Sequence, residues 1–235
     1  MIKQIIFSIA LLVTLGVFAY TVYRLIRLFK LTRGGFPVKD FGKRFRIMMD
    51  VAIGQTKIFR FPIVGALHAL VFWGFCVILI GSIEMVVDGL IGTERIFHGL
   101  GIVYDIIIGA GDIFALIIAV AIIVFLIRRF FLHVKRFQGI EMKHWSHLDA
   151  NIALTLILLL MISLLGMNTF YLQHAIGTGN EIRGVFPVSQ YLAPLFSDMP
   201  VHQLHIYHEV NWWVHILLIF FFANYLPYSK HFHVF

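Results

Sequence analysis

The sequence predicts an all-α integral membrane protein, built as a bundle of five transmembrane helices. Hydrophobic residues make up 60% of the chain, the mean hydropathy is +0.90, and only 13% of the residues are charged. A chain of this composition cannot bury its apolar surface as an ordinary soluble domain. Five of its apolar stretches are long enough to cross a bilayer.

Apolar length places the five helices and predicts one membrane domain over residues 1–235. The predicted spans are about 5–28, 61–87, 102–127, 148–167 and 210–226. The first follows Lys3 and weakly resembles a signal peptide. No small-residue cleavage site follows it, and its apolar run is long enough to span, so we expect it to be retained.

Basic residues give the expected orientation. The 24–60 stretch holds ten Lys/Arg and two acids, and 128–143 holds five Lys/Arg and one acid. The connections at 88–101 and 168–209 carry one arginine each, Arg95 and Arg183. The positive-inside rule therefore predicts an inner-membrane protein with its N-terminus outside and its C-terminus in the cytoplasm. This bias explains the net charge of +7 without nucleic-acid binding.

The single cysteine, Cys76, lies inside an apolar run. One thiol cannot form an internal disulfide, an iron–sulfur site or a cysteine-based zinc site. Any iron–sulfur chemistry must therefore come from a partner.

Three histidines in or beside the apolar stretches carry most of the functional information. His215 and His233 are eighteen residues apart, which is five turns or about 27 Å on a continuous α-helix. His68 lies in the stretch ALHALVFWGFCVILIG. Neutral imidazole is a common axial ligand of haem iron, and ionisable groups inside a membrane are functional candidates. Histidines at two depths predict a transmembrane electron carrier that binds b-type haem.

The orientation assigns depths to these side chains. His68 and His233 fall near the inner side and can share one haem, whereas His215 lies nearer the outside and needs another partner. Each could instead be a hydrogen-bonded packing or interfacial histidine. His231 is expected at the interface, and His144 and His147 in solvent. The outer connection also carries an H-x-x-H-x-x-H series, made of His202, His205 and His208. It could form a zinc site on a helical turn, but Glu209 is the one carboxylate nearby in the sequence, so we do not favour a metal site there.

Two segments carry a family resemblance, GALHALVFWGFCVILIGSIE and WWVHILLIFFFANYLPYSKHFHVF. They resemble the membrane cytochrome b domain of heterodisulfide-reductase-related iron–sulfur oxidoreductases, which is similar to the gamma subunit of respiratory nitrate reductase. The resemblance covers nearly the whole chain, and P-Y-S-K-H-x-H is its most specific part. It implies two stacked b haems ligated by the second and fifth helices. His215 and His233 match the fifth-helix ligands and His68 matches the inner ligand of the second.

Ile78 stands where this family has its outer second-helix ligand, and an isoleucine cannot bind iron. Three arrangements stay open. One haem could use two of the three candidate histidines, or His68 could pair with His215. Two haems, which we favour, would need the outer one completed by another histidine: His98, His174 or one of the 202–208 series. An unliganded His215 would bury a polar ring without compensation.

The predicted function is electron transfer between a cytoplasmic iron–sulfur partner and the membrane quinone pool, as the haem-bearing membrane subunit of a quinone-linked oxidoreductase. The resemblance implies menaquinone or a similar quinone. Iron–sulfur motifs usually follow the P-Y-S-K-H-x-H segment, so that domain is either a separate subunit or part of a longer polypeptide. Candidate polar groups for quinone or proton chemistry are Glu84, Asp88, the 182–208 segment, His144, His147 and Asp149. Asp112, within the third span, could serve a proton path or simply form a hydrogen bond to a neighbouring helix.

Two other function classes remain alternatives. A proton-conducting transporter would use the intramembrane histidines and Asp112, but the spans lack the inverted repeats or broken helices of transporters. A haem-free anchor would only dock a soluble redox enzyme to the membrane. An optical spectrum of the purified protein distinguishes both from a cytochrome.

Overall fold

Five long helices dominate the computed structural model, which describes residues 1–31, 35, 39–132, 144–229 and 232, with only the backbone for 144–147. No β-strand occurs in these parts of the chain. The helices of the bundle are α1 (Ile2–Phe29), α3 (Pro62–Ile91), α4 (Ile102–Phe130), α5 (His144–Thr178) and α7 (Val201–Tyr225). Two short helices, α2 (Phe41–Met48) and α6 (Ser189–Leu192), lie in connections. All five long helices have the length and hydropathy to cross a membrane, as the sequence predicts.

The long helices alternate in direction. At one end, the Lys3 ammonium lies 2.7 Å from a carboxylate oxygen of Glu209, so α1 and α7 both begin there. Gln4 donates to the carbonyl of Ile91 at that same end, where α3 finishes. At the opposite end, the hydroxyls of Thr21 and Tyr228 are 3.1 Å apart. The first of these regions is called the Lys3 end below.

Two helices extend beyond the spans expected from hydropathy. Helix α5 continues past Met167 to Thr178, and α7 begins at Val201 rather than near 210. The connection expected at 168–209 is therefore helical at both its ends. Its polar side chains are satisfied between helices; Asn168, for example, donates to Asp112 at 3.1 Å. A hydropathy scale cannot anticipate such partners because it scores each residue alone.

Helix α7 ends earlier than the spacing of His215 and His233 implied. It stops at Tyr225, a 3₁₀ turn follows over Leu226–Tyr228, and Ser229 is extended. Pro227 explains the break, since proline lacks a backbone N–H and clashes with the preceding turn. The expectation of five continuous turns between the two histidines is therefore wrong. His233 itself lies outside the described residues.

Helix α1 is attached to the bundle through Phe7. This ring is fully buried and its centroid lies 5.7 Å from those of both Trp212 and Phe220. On α3, Gly89 provides the space, because a Cβ there would come within 2.6 Å of the ring. The remaining core lies between α3, α4, α5 and α7, where Ile118, Ile122, Leu160, Leu164 and Ile216 pack together.

Candidate functional site

A cavity of about 370 Å³ opens at the Lys3 end of the bundle. Four helices, α3, α4, α5 and α7, supply most of its walls, and the first turn of α1 closes one side. Its lining combines apolar side chains such as Ile78 and Leu164 with polar and charged ones, among them His215, Asp112 and Arg95. This volume falls in the range of small-molecule sites, about 300–1,000 Å³.

His215 is the most completely buried of the candidate ligands, with 1% of its surface exposed. Its Nδ1 lies 3.0 Å from the carbonyl oxygen of Leu160 and 2.9 Å from the hydroxyl of Ser163. A carbonyl only accepts hydrogen bonds, so Nδ1 carries the proton and Nε2 keeps its lone pair. Metal-binding histidines commonly have this arrangement, with the second ring nitrogen donating to a backbone carbonyl. His215 therefore fits the role of an axial ligand.

Across the cavity from His215, helix α3 presents Ile78, which is buried and cannot bind iron. His68 is not part of this wall. It lies half-buried on α3, ten residues or about 15 Å closer to the opposite end. The structure therefore does not bring His68 and His215 together within the cavity.

The other outer histidines lie nearer the Lys3 end than His215 does. His205 precedes it by ten residues, about 15 Å along α7. His174 of α5 packs against His205 with ring centroids 5.4 Å apart, so it lies at that level too. His208 is two turns from His215 on the same helix, about 10 Å away. His98 is in a 3₁₀ turn with its ring edge-on to Tyr104. None of these rings faces His215 at its own depth.

No group of three or more His, Cys, Asp or Glu side chains placed to hold a metal ion occurs in the described part of the chain. The H-x-x-H-x-x-H series therefore does not assemble such a group. His202 is exposed, His205 pairs with His174, and His208 is turned inward, where its Nδ1 donates to the carbonyl of Met167 at 3.1 Å.

Glu84 and Asp88, expected near an outer quinone site, hold the α3–α4 connection. Glu84 accepts hydrogen bonds from the backbone N–H of Phe97 and the hydroxyl of Tyr104, at 2.9 and 3.1 Å. Asp88 accepts from the Thr93 hydroxyl at 2.6 Å and from the backbone N–H of Arg95 at 2.8 Å. Both carboxylates line the cavity, but their hydrogen bonds shape the loop that carries Arg95.

Arg95 is a functional candidate that sequence reasoning missed. Only 9% of it is exposed, and its guanidinium carbon lies 4.1 and 4.7 Å from the ring centroids of Tyr171 and Phe186. Its nitrogens make long contacts of 3.4 Å with Tyr104 and Asn168. Among the described residues, no carboxylate oxygen lies within 4 Å of it. The signal in the sequence was the isolation of this arginine between two apolar spans.

Asp112 acts as an anchor between segments. It is 1% exposed, and its two oxygens accept four hydrogen bonds. Three come from the 188–189 segment: the backbone N–H groups of Val188 and Ser189 at 2.8 and 2.9 Å, and the Ser189 hydroxyl at 2.6 Å. The fourth comes from Asn168. This supports the interhelical bond over a proton path.

The opposite end holds a smaller polar group. The hydroxyl of Tyr225 donates to the carboxylate of Asp149, and Arg129 donates to Asn151. These contacts join α5 to α7 and α4. The side chains of His144 and His147 lie outside the described residues, so the expected proton exchange there stays a prediction.

Comparison with known proteins relates the chain to oxidoreductases. It is 26% identical over 234 residues to a probable iron-sulfur-binding oxidoreductase, FadF, of Bacillus subtilis, covering 95% of this chain and 31% of that protein. It is 21% identical over 233 residues to an EtfAB:quinone oxidoreductase of Syntrophomonas wolfei, covering 97% and 32%. The chain thus spans about a third of the length of these relatives. No protein-family model and no solved structure matches it. These relatives, with the five apolar helices, support a redox role in a membrane.

Proposed function

We propose that this chain carries electrons between a cytoplasmic iron–sulfur partner and the membrane quinone pool, as the haem-bearing membrane part of a quinone-linked oxidoreductase. The observation that carries the proposal is His215: a buried imidazole whose Nδ1 is fixed by Leu160 and whose Nε2 lone pair remains available at a cavity. An ionisable side chain inside a membrane-spanning helix is a functional candidate, and Nε2 is the ring atom of His215 that is left to bind a ligand.

Haem b would be held by His215 towards the Lys3 end, and by His68 with His233 towards the opposite end. When bound, haem supplies one-electron chemistry that the polypeptide lacks. The chain orients the proposed ligand and surrounds it with apolar side chains. The Leu160 carbonyl fixes the plane of the His215 ring, and Ile216 and Leu164 belong to the apolar core of the bundle. Two haems are the proposed count. One haem is the alternative, because Ile78 cannot bind iron and the other described outer histidines lie nearer the Lys3 end than His215 does.

The similarity to an iron-sulfur-binding oxidoreductase and to a quinone oxidoreductase supports both proposed partners. In the proposed orientation, in the inner membrane, the basic 39–60 segment faces the cytoplasm and the Lys3 end faces outward. The iron–sulfur partner would then contact the end opposite the cavity.

The decisive experiment is a reduced-minus-oxidised optical spectrum of the purified protein, with haem counted per chain as the pyridine haemochrome. We expect a b-type α-band and one or two haems. His215→Leu should remove one haem or shift its spectrum, whereas Val214→Leu, a change on the exposed side of the same helix, should not. A purified wild-type protein without a b-type spectrum would refute the haem-bearing function and leave the haem-free anchor and the proton-conducting transporter.

A further inference from the structure

The 41–53 segment forms one amphipathic helix at the end of the bundle opposite the Lys3 end. Helix α2 passes directly into a π-helical turn over Met49–Ile53. One side of this 41–53 helix is apolar, with residues spaced i, i+4 and i+7 that are each more than half exposed: Phe41, Phe45 and Met48. Lys43 and Arg46 lie on the other side. A helix divided in this way into apolar and basic sides is typical of the interface between lipid and water.

The 41–53 helix is held beside the membrane-spanning helix α3. The indole N–H of Trp73, eleven residues into α3, donates to the carbonyl of Ile53 at 2.8 Å. The rings of Phe59 and Trp73 lie 6.3 Å apart between centroids. Helix α3 has 30 residues and is therefore about 45 Å long, against about 30 Å for the hydrocarbon core of a bilayer. Because lipid surrounds a spanning helix, an apolar surface fixed to its flank meets lipid.

The charge of this region complements an anionic lipid surface. The 39–60 segment holds six Lys/Arg and two acids, Asp40 and Asp50. Basic segments next to a membrane span are attracted to acidic phospholipids. An acidic protein surface would attract the same charge, but the position of the apolar side next to α3 favours lipid as its neighbour.

An open groove of about 350 Å³ runs along the 41–53 helix. Four apolar side chains and two cations line it: Ile47, Met48, Val51, Ala52, Arg44 and Lys57. The five lining residues of the helix follow the spacing i, i+3, i+4, i+7 and i+8, so they share one side of it. The chain then turns back and brings Lys57 to the groove. The Thr56 hydroxyl stabilises this turn by donating to the carbonyl of Asp50 at 2.9 Å.

Arg44 and Lys57 give the groove its positive charge. Nε of Arg44 donates to the carbonyl of Lys39 at 2.9 Å, which orients the guanidinium. Its two terminal nitrogens can therefore donate together to phosphate oxygens. In the described parts of the chain, no carboxylate oxygen lies within 4 Å of either cation. A free phosphate would use only these cations, whereas a phospholipid would use the apolar walls as well.

We propose that this groove binds an acidic phospholipid of the adjacent leaflet. The lipid phosphate accepts hydrogen bonds from Arg44 and Lys57, and one acyl chain lies along Ile47 and Val51. A zwitterionic lipid carries its own cation, which the two basic side chains repel. In the proposed orientation this is the cytoplasmic leaflet. The inference needs only the membrane crossing of α3, so it stands or falls independently of haem and of electron transfer.

Lipid preference is tested by native mass spectrometry of the purified full-length protein, with any iron–sulfur portion or partner, titrated with phosphatidylglycerol or phosphatidylcholine. Wild type should bind its first phosphatidylglycerol more tightly than phosphatidylcholine. The double variant Arg44→Gln, Lys57→Gln should raise the Kd for phosphatidylglycerol about 25-fold, at about fivefold for each basic residue, and leave the Kd for phosphatidylcholine unchanged.

The matched control is the double variant Arg24→Gln, Arg27→Gln, which removes the same charge from exposed positions of α1 at the same end. Its Kd for phosphatidylglycerol should change less than about twofold. An unchanged Kd in the Arg44 and Lys57 variant would overturn the site. Equal weakening in both double variants would also overturn it, because it would show a general attraction between charges and no specific groove.

The position of the apolar side is tested separately, by spin labels in vesicles of phosphatidylcholine and phosphatidylglycerol. Met48→Cys and Lys43→Cys each receive a label in a Cys76→Ser background. The label at position 48 should be accessible to molecular oxygen, which concentrates in the bilayer, and the label at 43 to a water-soluble nickel complex. Equal nickel access at both positions would refute the lipid-facing side. Shielding of the label at 48 from both reagents would show that protein covers this side, and would refute the lipid proposal as well.

Discussion

Replacing Asp112 by asparagine should loosen the 182–200 segment. The carboxylate accepts two backbone N–H groups on one oxygen, and the Ser189 hydroxyl and the Asn168 amide on the other. An asparagine amide must turn its NH₂ towards one of these pairs. Either orientation sets an N–H donor against another N–H donor. Losing one charge-assisted hydrogen bond and weakening the others should cost about 3 kcal/mol.

Hydrogen exchange measures this loss where it occurs. Because 1.4 kcal/mol corresponds to a factor of ten, the amides of Val188 and Ser189 should exchange about 100-fold faster in Asp112→Asn. Mass spectrometry of a peptide covering 184–196 reports both positions. Asp198→Asn, an exposed acid in the same connection, should leave the exchange rates within about twofold, as most surface substitutions change stability little.

The outcome also separates the two roles considered for Asp112. An anchor predicts faster exchange in the 184–196 peptide and a lower thermal stability. A proton carrier predicts normal exchange together with a selective loss of quinone reactivity, leaving ferricyanide oxidation intact. Normal exchange in Asp112→Asn would refute the anchor, because an asparagine cannot accept all four hydrogen bonds that the buried carboxylate accepts.

Four further outcomes are expected. Phe7→Ala should lower stability by about 1–2 kcal/mol in thermal unfolding, less than in a soluble core because lipid replaces the lost apolar contact. In haem titrations of the apoprotein, Ser163→Ala should weaken haem binding less than about tenfold, because the Leu160 carbonyl still orients His215. His68→Leu should remove one haem equivalent from intact purified protein, and an unchanged count would disprove its role as a ligand. Cysteines introduced in 39–60 should be labelled only from the cytoplasmic face; labelling from outside would reverse the proposed topology.

The sequence predicts the class of the fold because membrane crossing depends on a local property. Apolar length alone locates all five helices, including the first, while its retention in the mature protein stays a prediction. The ends of α5 and α7 could not be located this way. Asn168 and His208 are polar, but Asp112 and the Met167 carbonyl satisfy them across helix boundaries. Such pairings depend on tertiary contacts between residues far apart in the chain.

The candidate site was predictable only in part, for the same reason. His215 stands out in the sequence because an ionisable side chain inside a membrane span is energetically costly and is therefore a functional candidate. Arg95 resembles an ordinary loop arginine until Tyr171 and Phe186 enclose it. Glu84 and Asp88 were expected at an outer site and do line the cavity, yet their oxygens are engaged by the adjacent connection. The sequence identifies the polar side chains that could serve a site, but it does not show which of them are already hydrogen-bonded within the fold.

The proposed orientation gives the proposed reaction an electrical direction. Electrons would enter from the cytoplasmic partner at the basic end, and a quinone reduced towards the Lys3 end would take its protons from that side. Each quinone reduced then moves two electrons across most of the apolar layer, while its protons do not cross. One elementary charge moved across 100 mV corresponds to about 2.3 kcal/mol, so two give at most about 4.6 kcal/mol. An inside-negative potential therefore favours quinone reduction by a cytoplasmic donor and opposes quinol oxidation. A membrane potential could thus drive electrons from a donor too weak to reduce the quinone unaided.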